Sequence, residues 1–275
     1  MRIWAIGLRT LFAQKRKGDK MYSKFQLSVS LKDVPNYEEQ GENFFESYHH
    51  GIQRDLKQFI NEDGIVDGSK LQENWFATDY EFDVFLSHSH KDKALAIKLA
   101  CFLHEKLGLK TFIDSCLWGC SDELLLTIDN KYCKNPSGDT YSYEKRNCST
   151  SYVHMMLSIA LMTMMDRCEA IFFLNTPNSI CLDVAGGMQE TSSPWIYNEL
   201  SLANIIQKRP NRVKKGTALF EESFMYFDVD KELRTFHKLT MNDLVKCEKN
   251  KGPLDALEYI YQLVLQRSNK VGMKW

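Results

Sequence analysis

Glu81-Phe82-Asp83-Val84-Phe85-Leu86-Ser87-His88-Ser89-His90-Lys91-Asp92 (EFDVFLSHSHKD) is the stretch that decides the fold. Its first half, Phe82 to Leu86, is a short run rich in apolar, β-branched and aromatic residues. Such a run suits a strand covered on both faces, as in a parallel sheet. It stops abruptly at Ser87-His88-Ser89-His90, where small polar side chains take over, and a helical pattern follows from Lys91. Strand, polar turn and helix open a βαβ unit, and ligands in open α/β sheets collect beyond the strand ends. The turn at 87–90 is therefore the first candidate for function.

The pattern recurs downstream. From Lys91 to Leu107 the residues Leu95, Leu99, Phe102, Leu103 and Leu107 share one helical stripe, and Gly108 ends it. Leu109 to Ile113 makes a second short strand that ends in Asp114-Ser115, followed by Cys116-Leu117-Trp118-Gly119. Two adjacent strands ending this way would share a polar lip with a tryptophan over it. Residues 121–131 read as a short helix, and the remainder of 121–150 as a turn-rich insertion of the kind that forms lids and binding loops. Ser149-Thr150-Ser151 offers N-caps for a methionine-rich core helix from Tyr152 to about Arg167. Ala170 to Leu174 is a third buried strand. Ser193 as N-cap with Pro194 at the first helical position starts a helix that runs through Ile206. Strands are expected at 217–220, 223–228 and 235–239, and a closing amphipathic helix from Leu254 to Gln266. The order predicts an α/β domain, doubly wound, with a mostly parallel central sheet.

Residues 1–77 read differently and are expected to form an N-terminal extension, mainly helical, before a domain spanning 78–275. Phe25 to Val34 alternates like a strand and Pro35 closes it. From Asn36 to Asn61 a polar helix is expected to gather Phe44, Phe45, Tyr48, Ile52, Leu56, Phe59 and Ile60 on one sticky face, with Gly64 at its end.

The totals exclude some classes. The 275 residues are 44% hydrophobic and 26% charged, as in ordinary globular chains, and the net charge of -1 gives no bulk electrostatic hold on nucleic acid or acidic membranes. Eight cysteines occur without a CxxC pair, which points to free thiols in a reducing cytoplasm. The apolar part of MRIWAIGLRTLFAQKRKGDK is broken by Arg9 and its charges follow rather than precede it, so no secretion signal is expected, and Met21 is an alternative start. No apolar run reaches the roughly 18–20 residues that span a bilayer.

Four pieces in order resemble the TIR (Toll/interleukin-1 receptor) domains, in particular bacterial ones. FDVFLSHSHKD is similar to the family's first strand and loop, and GLKTFIDSCLWG to its second strand and BB loop. EAIFFLNT is similar to its third strand, and SSPWIYNELSLA to the helix that carries the glutamate of NAD-cleaving members. The resemblance covers roughly residues 80–265. It implies a flavodoxin-like TIR fold, NAD+ glycohydrolase or ADP-ribosyl cyclase activity, and Glu199 as the catalytic carboxylate. It further implies self-association and a part in defence against phage of the Thoeris type, where a separate effector responds to a nucleotide product. The insertion at 121–150, the strands after Pro210 and residues 1–77 depart from the family pattern. The rival class is a non-enzymatic TIR interaction module that docks through the Trp118 loop and the N-terminal helical face.

The residues themselves leave alternatives open. The spacing of Trp195 and Glu199 puts ring and carboxylate one turn apart on one helix face. By spacing alone a surface glutamate beside a core tryptophan is the better reading, and the resemblance turns it toward catalysis. Ser87, His88, Asp114 and Ser115 either line a substrate pocket at the strand ends or only cap helices and turns. Trp118 is either a stacking platform, the favoured reading, or a hydrophobic plug. His88 and His90 have no second ligand pair at zinc spacing, so no metal is expected. Gly186-Gly187 lacks the pattern of a phosphate loop, so NAD+ is expected as a substrate with no held cofactor.

Overall fold

The computed structural model describes residues 23–35, 56–78, 80–118, 121–182, 187–206, 227–247 and 253–271. The strands, in chain order, are β1 (Ser23–Leu27), β2 (Val84–Ser87), β3 (Thr111–Phe112), β4 (Ala170–Leu174), β5 (Cys181–Leu182), β6 (Gln189–Thr191), β7 (Phe227–Asp228) and β8 (His237–Leu239). The helices are α1 (Gly68–Trp75), α2 (Lys93–Leu107), α3 (Asp114–Leu117), α4 (Ser121–Ile128), α5 (Tyr143–Arg167), α6 (Pro194–Ile206), α7 (Asp230–Leu233), α8 (Met241–Cys247) and α9 (Pro253–Val271). Five strands form a sheet in the order β3-β2-β4-β1-β8, every neighbouring pair parallel, with helices flanking it. β5, β6 and β7 form a small antiparallel sheet of their own.

The apolar runs seen in the sequence are these central strands. All residues of β2 and β4 are buried, which is why the sequences do not alternate. Aromatic contacts tie neighbouring strands: Phe85 stacks on Phe112 at 5.3 Å between centroids, and Phe25 meets Phe172 edge-on at 5.4 Å. α2 buries its predicted stripe and ends at Gly108, whose φ of 67° is left-handed. There Gly108 N–H donates to His104 O at 2.9 Å and Leu109 N–H to Leu103 O at 3.0 Å, the paired bonds of a glycine-terminated helix.

The N-terminal segment is not set apart as the sequence suggests. β1 lies inside the sheet, paired to β4 over Ser23–Leu27 and to β8 over Phe25–Leu27, and Phe25 and Leu27 are fully buried. The boundary at 77/78 therefore cuts through one core. Asn61 to Gly64 forms a tight turn between the bridged residues Ile60 and Val66, with Gly64 at φ 78°, instead of a helix end. Of the helix expected over 36–61, residues 36–55 lie outside the described residues and Leu56–Phe59 forms a single 3-10 turn, and the strand at 217–220 also lies outside them.

The insertion is also more ordered than a loop. α5 starts at Tyr143, not Tyr152, because nothing in YEKRNCSTS breaks a helix and Ser142 caps it by accepting from Lys145 N–H at 3.4 Å. Ser149, expected as a cap, is instead buried and donates to Asp129 Oδ1 at 2.5 Å. Asp129 also accepts from Arg146 Nε at 2.8 Å, so the turn after α4 is fastened to the first turns of α5. α5 is the one helix among the described residues long and apolar enough, by length and composition, to cross a membrane. Its inner face, with Val153, Leu157, Leu161, Met164 and Met165, belongs to the core.

Candidate functional site

The site grows out of the ends of β2 and β3. These strands pair in register, Phe85 opposite Phe112, so Ser87-His88 and Asp114-Ser115 emerge side by side at the carboxyl edge of the sheet. α6 supplies the opposite wall. Its start is fixed by Ser193, whose hydroxyl accepts from Ile196 N–H at 3.3 Å. From there the helical period turns Ile196, Glu199, Leu200 and Ala203 inward. Three of these are apolar core residues. The fourth is a carboxyl group with 5% exposure.

Glu199 is held by Ser87, whose Oγ donates to Glu199 Oε2 at 2.5 Å. Burial pushes the Glu199 carboxyl well above the usual carboxylate range, the charge of Asp114 adds to the rise, and the Ser87 hydrogen bond opposes it. Asp114 stands in the first turn of α3 with its side chain 35% exposed, so the two acids differ sharply in their access to water.

His88 lies between the two strand ends with its ring almost fully enclosed. Nε2 faces Ser115 Oγ at 3.3 Å, and Nδ1 faces Leu86 O at 3.3 Å and Asp114 Oδ1 at 3.9 Å. Two long polar approaches and one ion-pair distance orient the imidazole without committing it strongly to any partner.

A cavity of about 270 Å³ sits over these groups. His88, Asp114, Ser115, Trp118, Trp195 and Glu199 all line it, and Ser87 stands just behind, reaching it through Glu199. The sequence reading missed Ser121 and Asp122 from α4 and Leu157 and Leu161 from α5, which complete the wall. The i, i+4 spacing of Leu157 and Leu161 marks a buried helix face but does not say what it faces. His90, the other histidine of the candidate turn at 87–90, also lines the cavity.

The two tryptophans differ. Trp118 is 2% exposed, donates its indole N–H to Ala77 O at 2.9 Å and packs edge-on against Phe112 and Phe76. That enclosure favours the hydrophobic-plug reading of Trp118 over the stacking platform, since a ring 2% exposed offers little face to a base, although it borders the cavity. Trp195 is partly buried and meets the His154 ring edge-on at 5.2 Å.

A second polar cluster lies nearby and serves structure. Asp92 accepts from Thr176 Oγ1 at 2.5 Å and from Asn178 Nδ2 at 2.7 Å, tying the start of α2 to the loop after β4. Among the described residues no group of three or more His, Cys, Asp or Glu side chains is arranged to hold a metal ion. The arrangement at the strand ends joins a buried acid, a wetter acid, hydroxyls, an imidazole and an aromatic ring.

Compared with protein-family models, curated proteins and solved structures, the chain matches none.

Proposed function

We propose that the chain is a TIR-type enzyme with a doubly wound, flavodoxin-like core that cleaves the bond between nicotinamide and ribose in NAD+. The observation that carries this reading is Glu199: a buried carboxyl on an otherwise apolar helix face, hydrogen-bonded to Ser87 and opening into a cavity at the ends of β2 and β3. A carboxyl group in that position carries a desolvation penalty that packing alone does not require.

In the proposed reaction the C–N bond breaks with its electron pair going to the pyridinium nitrogen, so nicotinamide leaves neutral and needs no proton. Positive charge grows on the ribose, and Glu199 faces it as the carboxylate. Entry of the cationic ring offsets the burial and the Asp114 charge that hold the Glu199 proton in the empty site. Water attack at the ribose carbon then gives ADP-ribose and one proton. Attack by a nucleophile from the same molecule gives a cyclic isomer instead. In this reading His88 and Ser115, which line the cavity beside Glu199, orient the incoming hydroxyl, and Asp122 of the insertion borders the same space. By the resemblance, the product is a nucleotide signal in cytoplasmic defence against phage and acts on a separate effector.

The test is incubation of the purified protein with NAD+, with and without phage lysate, and chromatography of the products beside Glu199→Ala. Loss of the carboxylate should slow nicotinamide release on the order of 100-fold or more. Equal rates, or no nicotinamide under either condition, would leave the interaction-module reading.

A further inference from the structure

α5 carries a second apolar face that neither the core nor the cavity uses. Tyr152, Met155, Ile159 and Met162 are 69%, 55%, 40% and 41% exposed, respectively. They recur at spacings of three, four and three residues, which stacks them as one seam along the outer side of the helix. Between Arg146 and Asp166 the helix has no Asp, Glu, Lys or Arg at all. A helix side left to water ordinarily carries such charges.

The charges stand at the two ends. Glu144-Lys145 precedes the seam and Asp166-Arg167 follows it, and all four residues are exposed. A two-fold axis crossing the helix between Met155 and Met156 brings a second copy alongside in the antiparallel sense. That operation places Lys145 opposite Asp166, Glu144 opposite Arg167 and Tyr152 opposite Ile159. Each contact then occurs twice, as any two-fold interface requires. A parallel pairing would instead set like charges against one another at both ends.

We infer that the outer seam of α5 is the interface with a second copy of this chain, packed antiparallel. This inference is independent of the NAD+ reading, and its test does not use activity. Sedimentation of the purified protein over a range of concentrations should show a dimer. Ile159→Glu, placed in the middle of the seam, should leave a monomer with an unchanged far-ultraviolet circular dichroism spectrum. Lys145→Glu, at an exposed position, should weaken the dimer on the order of tenfold because it acts in both symmetric contacts. Adding Asp166→Lys to it should restore the dimer.

A protein that stays monomeric at high concentration overturns the inference, as does a dimer that ignores Ile159→Glu. Failure of the double charge reversal to recover affinity overturns the antiparallel register. Co-sedimentation with phosphatidylcholine vesicles that is lost in Ile159→Glu would assign the seam to a lipid surface instead.

Discussion

Ser87 Oγ donates to Glu199 Oε2, joining the last residue of β2 to the middle of α6 across 112 positions of sequence. The bond favours the ionised carboxyl, whereas burial and Asp114 favour the protonated one. The ionisation of Glu199 is thus set by neighbours that can be removed one at a time.

Ser87→Ala removes the one opposing influence, so Glu199 should ionise at higher pH and the acid limb of kcat/KM for NAD+ cleavage should move upward. Asp114→Asn removes a like charge and should move that limb downward. Activity of Ser87→Ala at neutral pH should fall roughly tenfold, the worth of one hydrogen bond to a charged group. Shifts of the same sign in both variants would show that Glu199 is not the group being titrated.

The same group leaves a mark on stability. A carboxyl whose pKa is raised on folding binds its proton more tightly in the folded chain, so stability falls as pH rises from about the ordinary value of 4.5 toward the raised one. Glu199→Gln abolishes that slope. The variant should gain in melting temperature over wild type at pH 8 and lose the gain at pH 4.5, as read by thermal unfolding in matched buffers.

Phe25 occupies the fully buried centre of β1, in contact with Phe172 and stacked on Tyr261 at 5.8 Å. Phe25→Ala should cost about 3–5 kcal/mol, the range for deleting a large core aromatic. A truncated chain beginning at residue 78 should give no cooperative urea transition, since β4 and β8 then lose the strand between them.

Asp129, 3% exposed at its side chain, is held by Arg146, which is half exposed. Arg146→Ala should leave a buried carboxylate with only the Ser149 hydroxyl and the Cys133 thiol and lower stability by about 1–2 kcal/mol. The urea midpoint should drop at constant slope. A change of slope would mean that the insertion unfolds separately from the core.

The central strands and helices were legible because their burial is written locally. Val84–Ser87 and Ala170–Leu174 are apolar throughout, and Ser193-Pro194 and Gly108 mark helix ends by well-understood chemistry. The place of β1 was not legible, because strand order depends on which edges meet and no residue in SKFQL specifies its neighbours. The early start of α5 was missed because Ser149 looks like a cap in sequence, while its actual partner, Asp129, is distant along the chain. Glu199 was singled out through the resemblance of its motif. Its burial and its tie to Ser87 depend on how the chain brings α6 to the end of β2, which spacing within either element cannot express.

The position of β1 has a consequence for how the chain is made. β1 leaves the ribosome before both of its partners, β4 and β8, which follow it at long sequence separations. The pairing of Phe25 with His237 joins opposite ends of the sequence, a contact pattern that slows folding. Until residues 237–239 emerge, one edge of β1 remains open to pairing with another nascent chain. Production of this protein should therefore be sensitive to anything that interrupts synthesis before β8, since the arrested chains would carry an incomplete sheet with an adhesive edge.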